Sequence, residues 1–155
     1  MNQSLSIQNR QREVRLNTRL LRRMVGTLLH NLLQCRPYEL SLRLVSAAEI
    51  TRLNEAHLGH PGATDVITFD YSTGLPASGL VGDIVICAAE AVRQARRFRT
   101  SWPAELARYV IHGVLHLLGY DDHNTRDRRR MKKVENRLLQ ELARRFDLSQ
   151  LEAKP

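Results

Sequence analysis

The run His112-Gly-Val-Leu-His116-Leu-Leu-Gly119-Tyr120-Asp121-Asp122-His123 decides how the rest of the chain is read. Its first half is apolar apart from two histidines at i and i+4, a spacing that stacks them on one face of a helix, one turn apart. Rings so placed converge on a single point, and imidazole is a good ligand for Zn²⁺. Gly119 falls where the apolar run ends, and a glycine there adopts the left-handed conformation that stops a helix and turns the chain back. The Asp-Asp-His cluster that follows is thereby delivered to the same ion. Two residues compete for the third ligand: side-chain length and spacing favour Asp122, and the three-histidine chemistry of open catalytic zinc sites favours His123. Three protein ligands on one zinc ion leave a fourth position for water, whose pKa zinc lowers toward ~7, which points to hydrolysis rather than to a structural metal.

Working outward, the 155 residues are about one domain's worth of chain. Upstream of the motif, residues 4–8 alternate weakly, Glu39 to Val45 and Asp65 to Tyr71 read as strands, and Leu80 to Cys87 is a further run rich in β-branched residues. Glu13 to Leu33 carries apolar residues at helical spacing until Pro37 closes it, and Ser46 with Glu49 three residues on is a capping-box start for a short helix. Punctuation is brief, at Arg36-Pro37, Pro61-Gly62 and the Ser72 to Gly79 stretch. From Ala88 the chain reads as helices over about 88–98, 103–118 and 125–146, with Pro103 in a first turn. Strands early and helices late predict a single α+β domain over 1–155: a small mixed β-sheet packed by helices, with the HxxxH metal-binding helix at its centre.

Composition narrows the partners. Against 16 acidic residues stand 24 basic ones, a net charge of +8, and only Lys132, Lys133 and Lys154 of the 24 are lysine. Arginine forks pair bidentately with phosphate, so nucleic acid is the first partner to consider, with arginine-favouring codon usage as the bland alternative. Arg93, Arg96, Arg97 and Arg99 lie on or just after one helix, and Arg126, Arg128, Arg129, Arg130, Lys132 and Lys133 follow the metal motif directly. These arginines are the candidate RNA-binding residues, placed to attract and orient a phosphodiester. Aromatic residues are only 5%, too few for an evident stacking platform, and Trp102 beside Pro103 reads as a packing residue. Cys35 and Cys87 are too few for a disulfide framework, and no window approaches a membrane span, which together predict a cytoplasmic protein without a membrane partner.

Metzincin metallopeptidases use the same device, HExxHxxGxxH. The match holds at His112, His116 and Gly119 but fails at Gly113, where zinc peptidases place the glutamate that serves as general base. Peptide hydrolysis therefore lacks its proton acceptor.

Taken together, HGVLHLLGYDDH resembles the signature of the YbeY-type bacterial endoribonucleases, the ribosomal RNA maturation factors. Leu53-Asn54 followed by Thr64-Asp65-Val66-Ile67-Thr68-Phe69 is similar to that family's LN…TDVLSF segment, and Val81-Gly82-Asp83-Ile84-Val85-Ile86 to its GDIVI strand, so the resemblance spans roughly 39–140. It implies a zinc-dependent endoribonuclease that prefers single strands and acts in small-subunit ribosomal RNA maturation and ribosome quality control, with RNA and the ribosome as partners and no DNA. The chain departs from the family at the third histidine, where Asp122 stands. It departs again four residues beyond Asn54, where Leu58 replaces an arginine thought to matter for activity. His57 and His60 flank that position and are weak candidates for its role, or else plain loop histidines. Asp65 and Asp83, at strand starts, are candidates for orienting a ligand histidine, or for turn and cap roles. The alternative function is a non-catalytic, metal-stabilised RNA-binding assembly factor.

Overall fold

In the computed structural model, which describes residues 3–35, 37–58, 64–72 and 79–155, four strands form one mixed sheet in the order β1-β2-β4-β3. The strands are β1 (Gln3–Asn9), β2 (Tyr38–Val45), β3 (Val66–Asp70) and β4 (Leu80–Cys87). β1 and β4 both run parallel to β2, whereas β3 pairs antiparallel with β4, opposing Val66 to Ile86 and Asp70 to Gly82. The period-two pattern of ELSLRLV sends Leu40, Leu42 and Leu44 to one face, where they join Ile84 and Ile86 in the main core. On the opposite face Val45, Ile50, Ile67, Val85 and Cys87 make a second, smaller cluster.

Helix α1 (Thr18–Thr27) starts later than the expected Glu13, because the Asn17 side chain accepts from the Leu20 amide at 3.1 Å and caps it there. The residues before it are tied elsewhere: Gln11 bonds the Val14 amide and carbonyl, and Leu16 bridges to Glu152. The helix then widens into a π turn over Leu28–Leu32 and ends where Gln34 takes a positive φ of 48°, ahead of Pro37. Helix α2 (Ala47–Leu58) follows the predicted cap, with Ser46 Oγ accepting from the Glu49 amide at 3.1 Å, but the Glu49 carboxylate turns to Arg10 instead of closing the box. His60, Pro61-Gly62 and most of the Ser72 to Gly79 stretch fall outside the described residues.

Helices α3 (Ala88–Phe98), α4 (Trp102–Leu117) and α5 (Thr125–Arg145) match the expected helical second half. Ser101 caps α4 with Pro103 in its first turn, and Asn124 caps α5 by accepting from the Asp127 amide at 2.8 Å. Trp102 packs at the edge of the core, as a packing residue should. Two glycines set how closely α4 lies on β4: a Cβ at Gly113 would meet Ile84 Cγ2 at 2.8 Å, and one at Gly82 would meet Leu117 Cδ2 at 2.8 Å. Gly113 is thus a packing residue on the sheet-facing side of α4, and the glutamate of a zinc peptidase has no room there. None of the described helices is long and apolar enough to cross a membrane.

Candidate metal centre

Helix α4 presents His112 and His116 one turn apart on the flank beside its sheet-packed Gly113 and Leu117, and their rings stand edge to face with centroids 4.6 Å apart. The two Nε2 atoms face each other at 3.0 Å. Gly119 ends the helix with a φ of +100°, as its place in the sequence predicts, and the reversed chain bonds the Tyr120 amide to the Leu115 carbonyl at 3.0 Å. That turn carries Asp122 back over the rings, with Oδ2 at 3.6 Å from His116 Nε2 and 3.9 Å from His112 Nε2.

The other ring nitrogens fix which tautomers are present. His116 Nδ1 lies 3.1 Å from the Tyr120 carbonyl, which can only accept, so this nitrogen carries the hydrogen. His112 Nδ1 lies 3.0 Å from the carboxylate of Glu135 on α5. Burial alone would raise the Glu135 pKa, but hydrogen bonds from His112 and Arg108 outweigh it and hold the group below the usual carboxylate range, so it too accepts. Burial works against the charged form of His112, and the Glu135 hydrogen bond and charge outweigh it, lifting this imidazole above its ordinary pKa. When both rings are neutral and both Nδ1 atoms donate outward, two Nε2 lone pairs and a carboxylate oxygen meet at one point. Three acceptors in contact call for a cation between them, and the donor atoms of His112, His116 and Asp122 all fall within 4.8 Å of one another. A tetrahedral zinc with ligands at ~2.0–2.1 Å spaces its donors about 3.3 Å apart, close to the separations found, so the residues fit the ion.

His123, the rival third donor, points elsewhere: its side chain is 86% exposed and its Nε2 approaches Asp121 at 3.3 Å. Asp121 organises the turn, its Oδ1 accepting from the amides of Asp122 at 2.7 Å and His123 at 3.1 Å. Asp121, Asp122 and His123 do form a second group of donors, more exposed than the first.

Beside the histidines, between α4 and α5, lies a cavity of about 520 Å³, and its walls include His112, Asp122, Glu135, Arg108, Tyr109 and Met131. Arg128, Arg129 and Lys132 stand along its α5 side. Of the arginines singled out from sequence, these two line the cavity, whereas Arg130 lies over the Tyr120 ring at 5.5 Å. Arg126 is exposed in the first turn of α5. The Arg93, Arg96, Arg97 and Arg99 group belongs to α3 and its cap, with Arg93 held by Glu90 at 2.8 Å and Arg97 stacked on Phe98. Asp65 lines the cavity too, but its carboxylate caps the start of β3, accepting from the Val66 amide at 2.8 Å. Asp83 faces Arg43 at 3.7 Å and the Tyr71 hydroxyl at 3.3 Å, so the carboxylate that orients a ligand histidine is neither strand aspartate but Glu135. His57 is exposed and packs edge-on against Phe69, outside the donor cluster. Leu58 is the last residue of α2.

Glu135 carries a signal in the sequence. Met131, Glu135, Leu138 and Leu142 form the buried stripe of α5, and a carboxylate in an apolar stripe has to be there for a partner. Arg108 is that partner on one side, at 2.9 Å, and His112 on the other.

The fold and the site together define a small α+β domain that brings two imidazoles and a carboxylate together as a candidate metal-binding group, beside a cavity edged by Arg128, Arg129 and Lys132. A family model described as endoribonuclease YbeY matches residues 6–143. The endoribonuclease YbeY of Bordetella avium is 40% identical over 141 residues, covering 88% of this chain and 87% of the relative. That of Syntrophus aciditrophicus is 38% identical over 143 residues, covering 89% of each. The solution structure of a Thermotoga maritima protein superposes with a TM-score of 0.68 at 25% identity, covering 97% of this chain and 96% of that one. The chain belongs to the endoribonuclease YbeY family.

Proposed function

We propose that the protein is a cytoplasmic, zinc-dependent endoribonuclease that cleaves single-stranded RNA, with one zinc ion on His112, His116 and Asp122. Its substrate on this reading is small-subunit ribosomal RNA, during maturation and quality control of the ribosome. The observation that carries it is the convergence of two Nε2 lone pairs and the Asp122 carboxylate, with both histidine tautomers fixed from behind. Zinc held there supplies a Lewis acid that polarises a phosphodiester oxygen or water near neutral pH.

The chain's own residues do the rest. Glu135 and the Tyr120 carbonyl hold the two rings in the ligand tautomer, so no reorientation is needed as an ion enters. Arg128 and Arg129, exposed on the cavity's α5 side, attract and align the polyanion. Gly113 leaves the position of a peptidase base empty of any side chain, which separates this site from peptide hydrolysis.

Purified protein should hold one zinc per chain by elemental analysis and cleave an unstructured RNA. His112→Ala and His116→Ala should each lower bound metal and cleavage by more than about 100-fold, since a two-donor site no longer holds the ion. Cleavage that survives both substitutions overturns the reading. Intact ribosome binding without any cleavage by the zinc-loaded protein would instead mark a metal-stabilised assembly factor.

A further inference from the structure

We propose that the outer face of α5 is a docking surface for an RNA duplex, and that it anchors a base-paired segment next to the single strand at the metal centre. The inference rests on the reading of the protein as an RNA-cleaving enzyme and names a second, structured part of its substrate.

Met131, Glu135, Leu138 and Leu142 turn inward from α5, and the helical period puts Arg126, Arg129, Lys133 and Arg137 on the side away from them. All four are exposed. Each follows the last by three or four residues, so Arg126 neighbours Arg129, Arg129 neighbours Lys133 and Lys133 neighbours Arg137 on one helix surface. Like charges so placed destabilise a helix, and basic residues in its first turns also oppose the dipole. No carboxylate among the described residues forms an ion pair with any of the four: on α5, Glu135 serves Arg108 and Lys132, Glu141 serves Arg144, and Asp127 is held by Asn124. Such a row works against the helix that carries it, which marks a surface kept for a partner of opposite charge.

Continuity with the metal centre and the chemistry of the face select that partner. Arg128, Arg129 and Lys132 edge the cavity beside His112, and Arg129 belongs to the outer row as well. A polyanion lying at the metal therefore continues over Arg129 onto Lys133 and Arg137 without a break in positive charge. An anionic membrane does not fit, because the apolar stripe of α5 is buried and the outer row offers no large apolar side chain to insert. No aromatic residue lies on α5 either, so bases have nothing there to stack on and only a phosphate backbone can be held. A rigid row of cations suits a rigid backbone: an A-form duplex arrives already ordered, whereas a flexible strand loses freedom at each contact.

The test compares zinc-loaded native protein with the double variant Lys133→Gln/Arg137→Gln. The variant should bind a labelled blunt RNA duplex of about 16 base pairs about tenfold more weakly, with the slope of log affinity against log salt reduced by about one to two. Its melting temperature should be unchanged or raised, because the substitutions relieve repulsion within the row. For a single-stranded tail joined to that duplex, cleavage should show a KM raised about tenfold and a kcat within about twofold, whereas the tail alone should be cut with both constants within about twofold. Duplex affinity within about twofold of the native value overturns the inference, as does an equal rise in KM for the tail alone, since the row would then hold the cut strand. A melting temperature that falls along with affinity overturns it too, the two residues then serving the fold. Binding to poly-glutamate that is lost in the variant while duplex binding persists also overturns it and assigns the face to an acidic protein. Native protein that cleaves the tail while giving any of these results leaves the proposed function standing and removes only the duplex surface. Native protein that cleaves neither RNA, while the variant still loses the duplex, keeps the docking surface and removes the cleavage.

Discussion

His112 and His116 sit one helical turn apart and present the same atom to the same point, yet they are held by different kinds of partner. His116 is fixed by the Tyr120 carbonyl, a neutral acceptor four residues along the chain in the turn that Gly119 makes. His112 is fixed by Glu135, a buried carboxylate 23 residues away on another helix, which is itself held by Arg108. One orientation is written locally and comes with the turn. The other exists only once α5 has packed on α4. The charge behind His112 matters: the Glu135 hydrogen bond and carboxylate outweigh burial and hold this imidazole above its ordinary pKa.

The third donor belongs to the local side, and it offers the largest effect. Asp122→Ala should lower zinc affinity by about 100-fold, measured by competition with a chromophoric chelator, while His123→Ala should stay within about twofold. The reverse result would mean that the turn rearranges to bring His123 over the rings, so that the local half of the site is not preformed.

Glu135→Gln probes the tertiary side. The amide keeps the size of the side chain but not its charge, so His112 loses its strong acceptor and its fixed tautomer. Zinc affinity should fall about tenfold, in the range found when a carboxylate behind a metal-bound histidine is removed. The new side chain's carbonyl oxygen can still accept from Arg108, so the helix packing should persist, with far-ultraviolet circular dichroism unchanged. An affinity within twofold of the native value would show that α4 alone orients both rings.

How much of this can be read from the sequence follows the same division. The helix stop at Gly119, the cap at Ser46, Pro103 in the first turn of α4, the alternation in β2 and the stacked histidines all rest on residues within a few positions of one another, and each appears in the structure as expected. Helix α1 is shorter than its apolar spacing, which continues back to Val14, because the Asn17 cap and the bridge from Leu16 to Glu152 take those residues out of the helix. Asp65 and Asp83 stand out as lone carboxylates in the strand segments, although Asp83 lies in the middle of β4 and not at its start, and spacing along the chain does not say which carboxylate faces His112. Glu135 is visible only as a charge in an apolar stripe, and its meaning requires knowing that α5 lies across α4. Gly113 reads as a missing base and is in fact a point of contact with Ile84, which only the packing of helix on sheet reveals.

The smallest effect tests whether the turn does more than end a helix. Gly119 has a φ of +100° with nothing within 4 Å of where a Cβ would stand, so alanine there meets no steric obstacle and the cost is backbone strain alone. That strain is about 1–2 kcal/mol, which should lower the melting temperature by about 3–6 °C. Relieving it shifts the Tyr120 carbonyl and the Asp122 carboxylate together, so zinc affinity should also fall, by about three- to fivefold, a loss of up to about 1 kcal/mol. Glu135→Gln and Gly119→Ala thus have opposite signatures, the first acting mainly on the metal and the second mainly on stability. If Gly119→Ala lowers the melting temperature and leaves zinc affinity untouched, His116 is held by its packing on the helix and not by the turn, and the two histidines are less different than their partners suggest.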